Sequence, residues 1–62
     1  MSVKRRDLIR HMERNGFYLL REEGNHSVYH NGVKVIPVKR HRQLDRITAN
    51  KICKQAGIDP KF

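Results

Sequence analysis

Two glycines constrain this chain more than any other residues. Gly16 and Gly57 each follow a stretch whose apolar residues recur at three- and four-residue spacing, and three short extended runs lie between them. Leu8, Ile9 and Met12 form the first stripe and Ala49, Ile52, Cys53 and Ala56 the second, the pattern of helices with one buried face. Glycine takes the left-handed conformation that ends a helix and turns the next residue back onto it, bringing Phe17 onto Met12 and Ile58 onto Ile52 or Cys53. The reading is a helix over residues 2–15, capped by Ser2, and a second one opened by Asp45.

Between them, Phe17–Glu22 is apolar and aromatic enough for a strand, closed by the turn residues Gly24 and Asn25. His26–His30 reads as a second strand and Val33–Val38 as a third. Asn31-Gly32 is expected to join those two in a two-residue type I′ hairpin turn, since both residues tolerate positive φ. Pro37 cannot donate to a ladder, so its end of that strand is an edge or an exit. Residues 39–43 form a basic loop. Each helix has one apolar stripe to bury, so both must cover one sheet face. The expected fold is α+β, a two-layer α-β-β-β-α domain spanning residues 1–62, with a three-stranded antiparallel sheet and both helices on one side.

A domain of 62 residues buries only about 60% of its unfolded surface and has no room for a deep pocket. The single Cys53 forms no internal disulfide and reads as a small core residue. A lone thiol, no secretory h-region and no apolar run near the roughly 20 residues that span a bilayer together point to the cytoplasm. Fourteen Lys and Arg against six Asp and Glu give a net charge of +8 and a pI near 10.4, which draws nucleic acid, an anionic membrane or an acidic protein. Neither helix contains an aromatic residue, which argues against the membrane. Lys4, Arg5 and Arg6 fall in a first helical turn, where the dipole disfavours cations by a few tenths of a kcal/mol each. With Lys39, Arg40 and Arg42 they are the candidate phosphate contacts; a solvated basic face explains the helical three equally well.

Histidine is the side chain whose unperturbed pKa lies nearest neutrality, and the chain has His11, His26, His30 and His41. His26 and His30 share a strand face but stand roughly 13 Å apart at about 3.3 Å per residue, too far to hold one metal ion. Ser27 points away from His26, so the two form no nucleophilic pair. Acid–base chemistry remains, on a substrate that brings its own nucleophile, as RNA does with its 2′-hydroxyl. From the residues alone, a surface or turn-capping histidine is the commoner reading of His26.

Gly16-Phe17, Gly24-Asn25-His26-Ser27-Val28-Tyr29, Val35-Ile36-Pro37, a basic loop with His41, then Leu44, Thr48 and Ile52-Cys53-Lys54-Gln55-Ala56-Gly57-Ile58 together resemble the HicA (YcfA-like) toxins of HicA/HicB toxin–antitoxin systems. The resemblance implies a double-stranded-RNA-binding-domain-like fold and a ribosome-independent mRNA interferase working without metal or other cofactor. It also implies His26 as the general base, with Gly24, Asn25 and Tyr29 supporting it, mRNA as substrate, and a HicB-type antitoxin that blocks the active surface. Asn25 stands where the family usually has Ser, and Lys39 and Arg40 intervene before His41. Two other readings fit the composition: a non-catalytic RNA-binding module of the same fold, and an interaction protein for an acidic partner.

Overall fold

A computed structural model describes residues 2–62. The elements are β1 (Ser2–Lys4), α1 (Arg5–Arg14), β2 (Tyr18–Glu23), β3 (His26–His30), β4 (Val35–Lys39), β5 (Gln43–Asp45) and α2 (Arg46–Ala56). Strands β2, β3 and β4 form an antiparallel sheet with β3 in the centre. This is the expected α+β architecture, and a two-stranded ribbon of β1 and β5 is added to it.

That ribbon corrects the first helix. Ser2, Val3 and Lys4 pair with Asp45, Leu44 and Gln43, so Ser2 is no N-cap and the helix starts at Arg5. Lys4 occupies the N-cap position without a side-chain bond, and the Arg5 N–H is satisfied by the Arg42 carbonyl at 2.8 Å instead. A backbone carbonyl from a distant loop does what a capping side chain normally does for an orphan helical donor. The dipole cost therefore falls on Arg5 and Arg6, with Lys4 outside the helix.

The C-terminal ends follow the glycine rule. Gly16 has φ of 87° and Gly57 of 75°. Phe17 N–H reaches the Met12 carbonyl at 3.0 Å and Ile58 N–H the Cys53 carbonyl at 2.9 Å, the long bond of a Schellman ending in each case. Phe17 thus belongs to the helix ending and drops fully buried into the core, and the strand begins one residue later, at Tyr18.

Of the two turns read from the sequence, one holds and one changes. Asn31-Gly32 is not a type I′ turn: only glycines have positive φ among the described residues. The Asn31 carboxamide accepts the N–H groups of Val33 (2.9 Å) and Lys34 (2.7 Å), an Asx-type turn that widens the connection and delays β4 to Val35. The tight two-residue turn is Gly24-Asn25, closed by the Glu23–His26 pair. Positive φ at Gly24 alone, 55°, is the φ pattern of type II′.

Leu8 and Met12 of α1, Tyr29, Ile36 and Val38 of the sheet, Leu44, and Ile52, Cys53 and Ala56 of α2 form one core with Phe17. Tyr29 pairs with Ile36 and Ser27 with Val38 in register, so these four share a face and both helices lie on it. His26, Val28 and His30 lie on the other face, open at the half-buried His26 and His30 although Val28 between them is buried. His11 is buried, and its Nε2–H donates to the Asp59 carbonyl at 2.7 Å. Phe62 stacks edge-on against it; its carbonyl accepts from the Asn50 side-chain amide and its N–H donates to the Asn50 side-chain oxygen, both at 3.0 Å. Among the described residues no helix is long and apolar enough to cross a membrane.

Helix α2 opens as expected. Asp45 accepts from Ile47 N–H at 2.8 Å and Thr48 Oγ1–H at 2.7 Å, and these bonds hold its carboxyl below the ordinary 3.8. A depressed folded-state pKa contributes stability that is present above the unfolded value and disappears as pH falls through the folded one. Asp45→Ala is expected to lower the thermal midpoint at neutral pH, with the gap to wild type narrowing as pH falls below the ordinary carboxylate range; a gap of constant size in acid would remove the carboxylate from the explanation.

Candidate active site and cationic cleft

His26 opens β3 directly after the Gly24-Asn25 turn and is half-buried. Its register partners are Glu23 on β2 and Lys39 on β4, so all three side chains emerge on the open face. Directly opposed residues on one face have Cβ atoms about 4.5–5.5 Å apart, within reach of a lysine. No side-chain hydrogen bond ties the imidazole among the described residues. Ser27 lies on the other face and Tyr29 with it. Tyr29 is buried in the core, and burial raises its phenol above the ordinary range against the opposing pull of Arg5. The aromatic exposed on His26's face is Tyr18, at 63%.

Five of the six candidate phosphate contacts come together. Lys4, Arg5, Arg6, Arg40 and Arg42 line, with Gln43, a cleft of about 510 Å³ between the start of α1 and the basic loop. The sixth, Lys39, faces His26 instead, and its carbonyl accepts from Arg5 Nε at 2.9 Å. The cleft adjoins the hairpin of His26, because Arg40 N–H donates to the Asn25 carbonyl at 3.1 Å. Asn25 therefore serves through its backbone, tying the tight turn to the loop.

Two further residues escaped the sequence reading. Ser27, 3% exposed, accepts from Arg5 Nη2 at 2.8 Å and donates to Glu22 Oε1 at 2.6 Å. Arg40 reaches the same Glu22 oxygen through Nη2 at 2.9 Å and Nε at 3.2 Å. The Ser27 hydroxyl, and then the two arginines, keep the Glu22 carboxyl below its ordinary range although desolvation opposes them. A signal existed: strand alternation puts Ser27 on the same inward face as Tyr29, and an inward hydroxyl needs partners. What alternation hides is the extra residue in β2. Leu19 pairs with Tyr29 but Arg21 with Val28, so Leu20 is bulged out. Without that bulge Glu22 would face His26; with it Glu22 faces Ser27.

Cys53 is fully buried, and burial pushes its thiol up, away from thiolate chemistry. His41 is exposed on the basic loop, and no group of three metal-ligating side chains occurs among the described residues.

A family model described as HicA toxin of bacterial toxin-antitoxin matches residues 5–58, from the first residue of α1 through the residue that closes its partner helix. No curated protein and no solved structure matches the chain.

Proposed function

The chain belongs to the HicA toxin family, the toxin half of a toxin–antitoxin pair, and we propose that it acts as a ribosome- and metal-independent endoribonuclease on cytoplasmic mRNA. The observation that supports this most is the place of His26. It stands half-buried at a rigid turn on the open face, across from Lys39 and beside a cleft lined by five cations.

The reaction follows from the substrate. His26 takes the proton of a ribose 2′-hydroxyl as that oxygen attacks the adjacent phosphorus. The bond from phosphorus to the 5′-oxygen breaks, and that oxygen takes up a proton, from the imidazolium formed on His26 or from water. One product ends in a 2′,3′-cyclic phosphate and the other in a 5′-hydroxyl. Negative charge grows on the phosphoryl oxygens during attack, and preorganised cations stabilise it where it develops. The nucleophile is the RNA's own, so the protein supplies a base, positive charge and alignment.

The family implies an antitoxin partner. We take it to be a HicB-type protein that covers the open face, where an acidic surface would complement the +8 chain.

The test uses a single-stranded mRNA fragment with excess EDTA. Cleavage is expected to continue and to leave 2′,3′-cyclic phosphate ends, while the same sequence with every 2′-hydroxyl replaced by hydrogen stays intact. Loss of cleavage in EDTA, or cleavage of the deoxy strand, contradicts the mechanism, because neither is compatible with an unaided 2′-oxygen as nucleophile.

A further inference from the structure

A carboxylate is lodged among the cations of a surface whose net charge already favours polyanions. Among the described residues Glu22 is the acidic group bound to that cleft's arginines, and long-range attraction for RNA gains nothing from it. Its geometry accounts for its presence. One Glu22 oxygen gathers the Ser27 hydroxyl and the Arg40 guanidinium, and Ser27 passes the restraint on to Arg5. The hydroxyl has a single proton to give and gives it to Glu22, so it can only accept from Arg5, which fixes both bonds in direction. Arg5 is held a second time through Nε by the Lys39 carbonyl.

Each arginine commits Nε–H and one Nη2–H to these bonds. The remaining guanidinium donors belong to side chains that line the cleft. Arginine loses considerable rotamer freedom when it is immobilised by a ligand. Here the folded protein already restrains both, Arg40 in a half-exposed pair with Glu22, so part of the cost falls on folding and not on binding. A fixed planar fork also matches phosphate oxygens better than a mobile ammonium does.

From this geometry we propose that Glu22 and Ser27 are positioning residues that hold Arg5 and Arg40 as a preformed clamp for a phosphodiester of the RNA strand. The strand then continues past the Asn25 carbonyl, where Arg40 is anchored, toward His26 on the open face. The inference rests on RNA being the ligand, but it does not require that the RNA be cut.

The experiment therefore measures binding of a labelled single-stranded RNA oligonucleotide in a His26→Ala background, across a series of salt concentrations. Glu22→Gln removes a negative charge, so simple attraction predicts tighter binding. The clamp predicts the opposite, a loss of about two- to tenfold for each arginine released. The salt dependence should also flatten by about 0.7 for each phosphate contact given up. Arg40→Lys conserves charge on an exposed loop and gives a second measurement that does not depend on how Glu22→Gln folds. Equal weakening there supports the clamp, because a lysine cannot reproduce the fork.

Unchanged or tighter RNA binding by Glu22→Gln and Arg40→Lys overturns the proposal. Binding of polyglutamate as tight as that of RNA also overturns it, in favour of an acidic protein in the cleft. If the clamp variants lose RNA while the protein with His26 intact cuts none, the clamp stands and the nuclease reading fails. Cutting that proceeds with RNA binding indifferent to the variants leaves the nuclease and removes the clamp.

Discussion

Replacing His26 by Ala is expected to slow RNA cleavage by roughly 10²- to 10⁴-fold, the contribution of general acid–base catalysis, with little change in RNA affinity. The expectation comes from where the imidazole stands. It lies on the open face of the sheet, apart from the core formed by Tyr29, Ile36 and Val38, so its removal leaves no cavity beneath the helices. The cationic cleft draws its lining from β1, α1, the basic loop and β5, so phosphate contacts there survive the substitution. A rate loss with affinity preserved is what a group acting only in the reaction should produce. The measurement is single-turnover cleavage of an mRNA fragment, with thermal unfolding of the same protein beside it. Undiminished cleavage by a folded His26→Ala protein removes His26 from the mechanism. Failure of wild type to cut any RNA, with both proteins binding duplex RNA alike, favours the non-catalytic module.

The second large effect concerns stability. Phe17→Ala is expected to cost about 3–5 kcal/mol, the usual range for emptying a buried aromatic site. A chain of 62 residues has in total about 3–9 kcal/mol at the ordinary stability per residue. The variant should therefore lose from about a third to all of that stability, read as a much lower urea midpoint or, at the low end, as loss of the cooperative transition and of the far-ultraviolet circular dichroism signal. Tyr18→Ala, one residue later, is the control. Tyr18 is exposed and on the opposite side of the chain from the core, and surface substitutions of that kind usually stay within about 0.5 kcal/mol. Similar losses for both would mean that Phe17 is not the wedge between α1 and the sheet. A Phe17→Ala protein with an unchanged urea midpoint would mean the same.

The difference between those two aromatics was only partly readable in advance. Gly16 announced a helix ending that turns Phe17 inward, yet the same stretch also reads as a strand with Phe17 as its first residue. Which reading governed that position depended on the bond from Phe17 N–H to the Met12 carbonyl, made before the strand starts. Asn31-Gly32 misled for a related reason. Its dipeptide chemistry suits a tight turn, but the Asn31 side chain found two nearby backbone donors and built a wider one. Local competition between side chain and backbone is decided by a few tenths of an ångström that residue types alone do not convey.

What the sequence determined by itself is everything carried by neighbours in the chain. Helix α2 is legible from its Asp45 cap to its Gly57 stop, because caps and apolar periodicity act within a turn or two. Strand β3 is legible in both bounds, as is the placement of His26 and Ser27 on opposite faces, which needs only the alternation of a strand. The tertiary structure alone decided whatever joins distant segments. Three-residue strands such as Ser2–Lys4 and Gln43–Asp45 are too short to show a period, and they exist because each pairs with the other. The Arg42 carbonyl that caps α1 and the Lys39 that faces His26 come from segments distant along the chain. Glu22 faces Ser27 only because Leu20 is bulged out of register. Register is a property of two strands together, and one misplaced residue exchanges the faces of a whole strand. The base was therefore visible in a single stretch of chain, whereas the cationic site beside it was visible only as a list of residues until the fold closed.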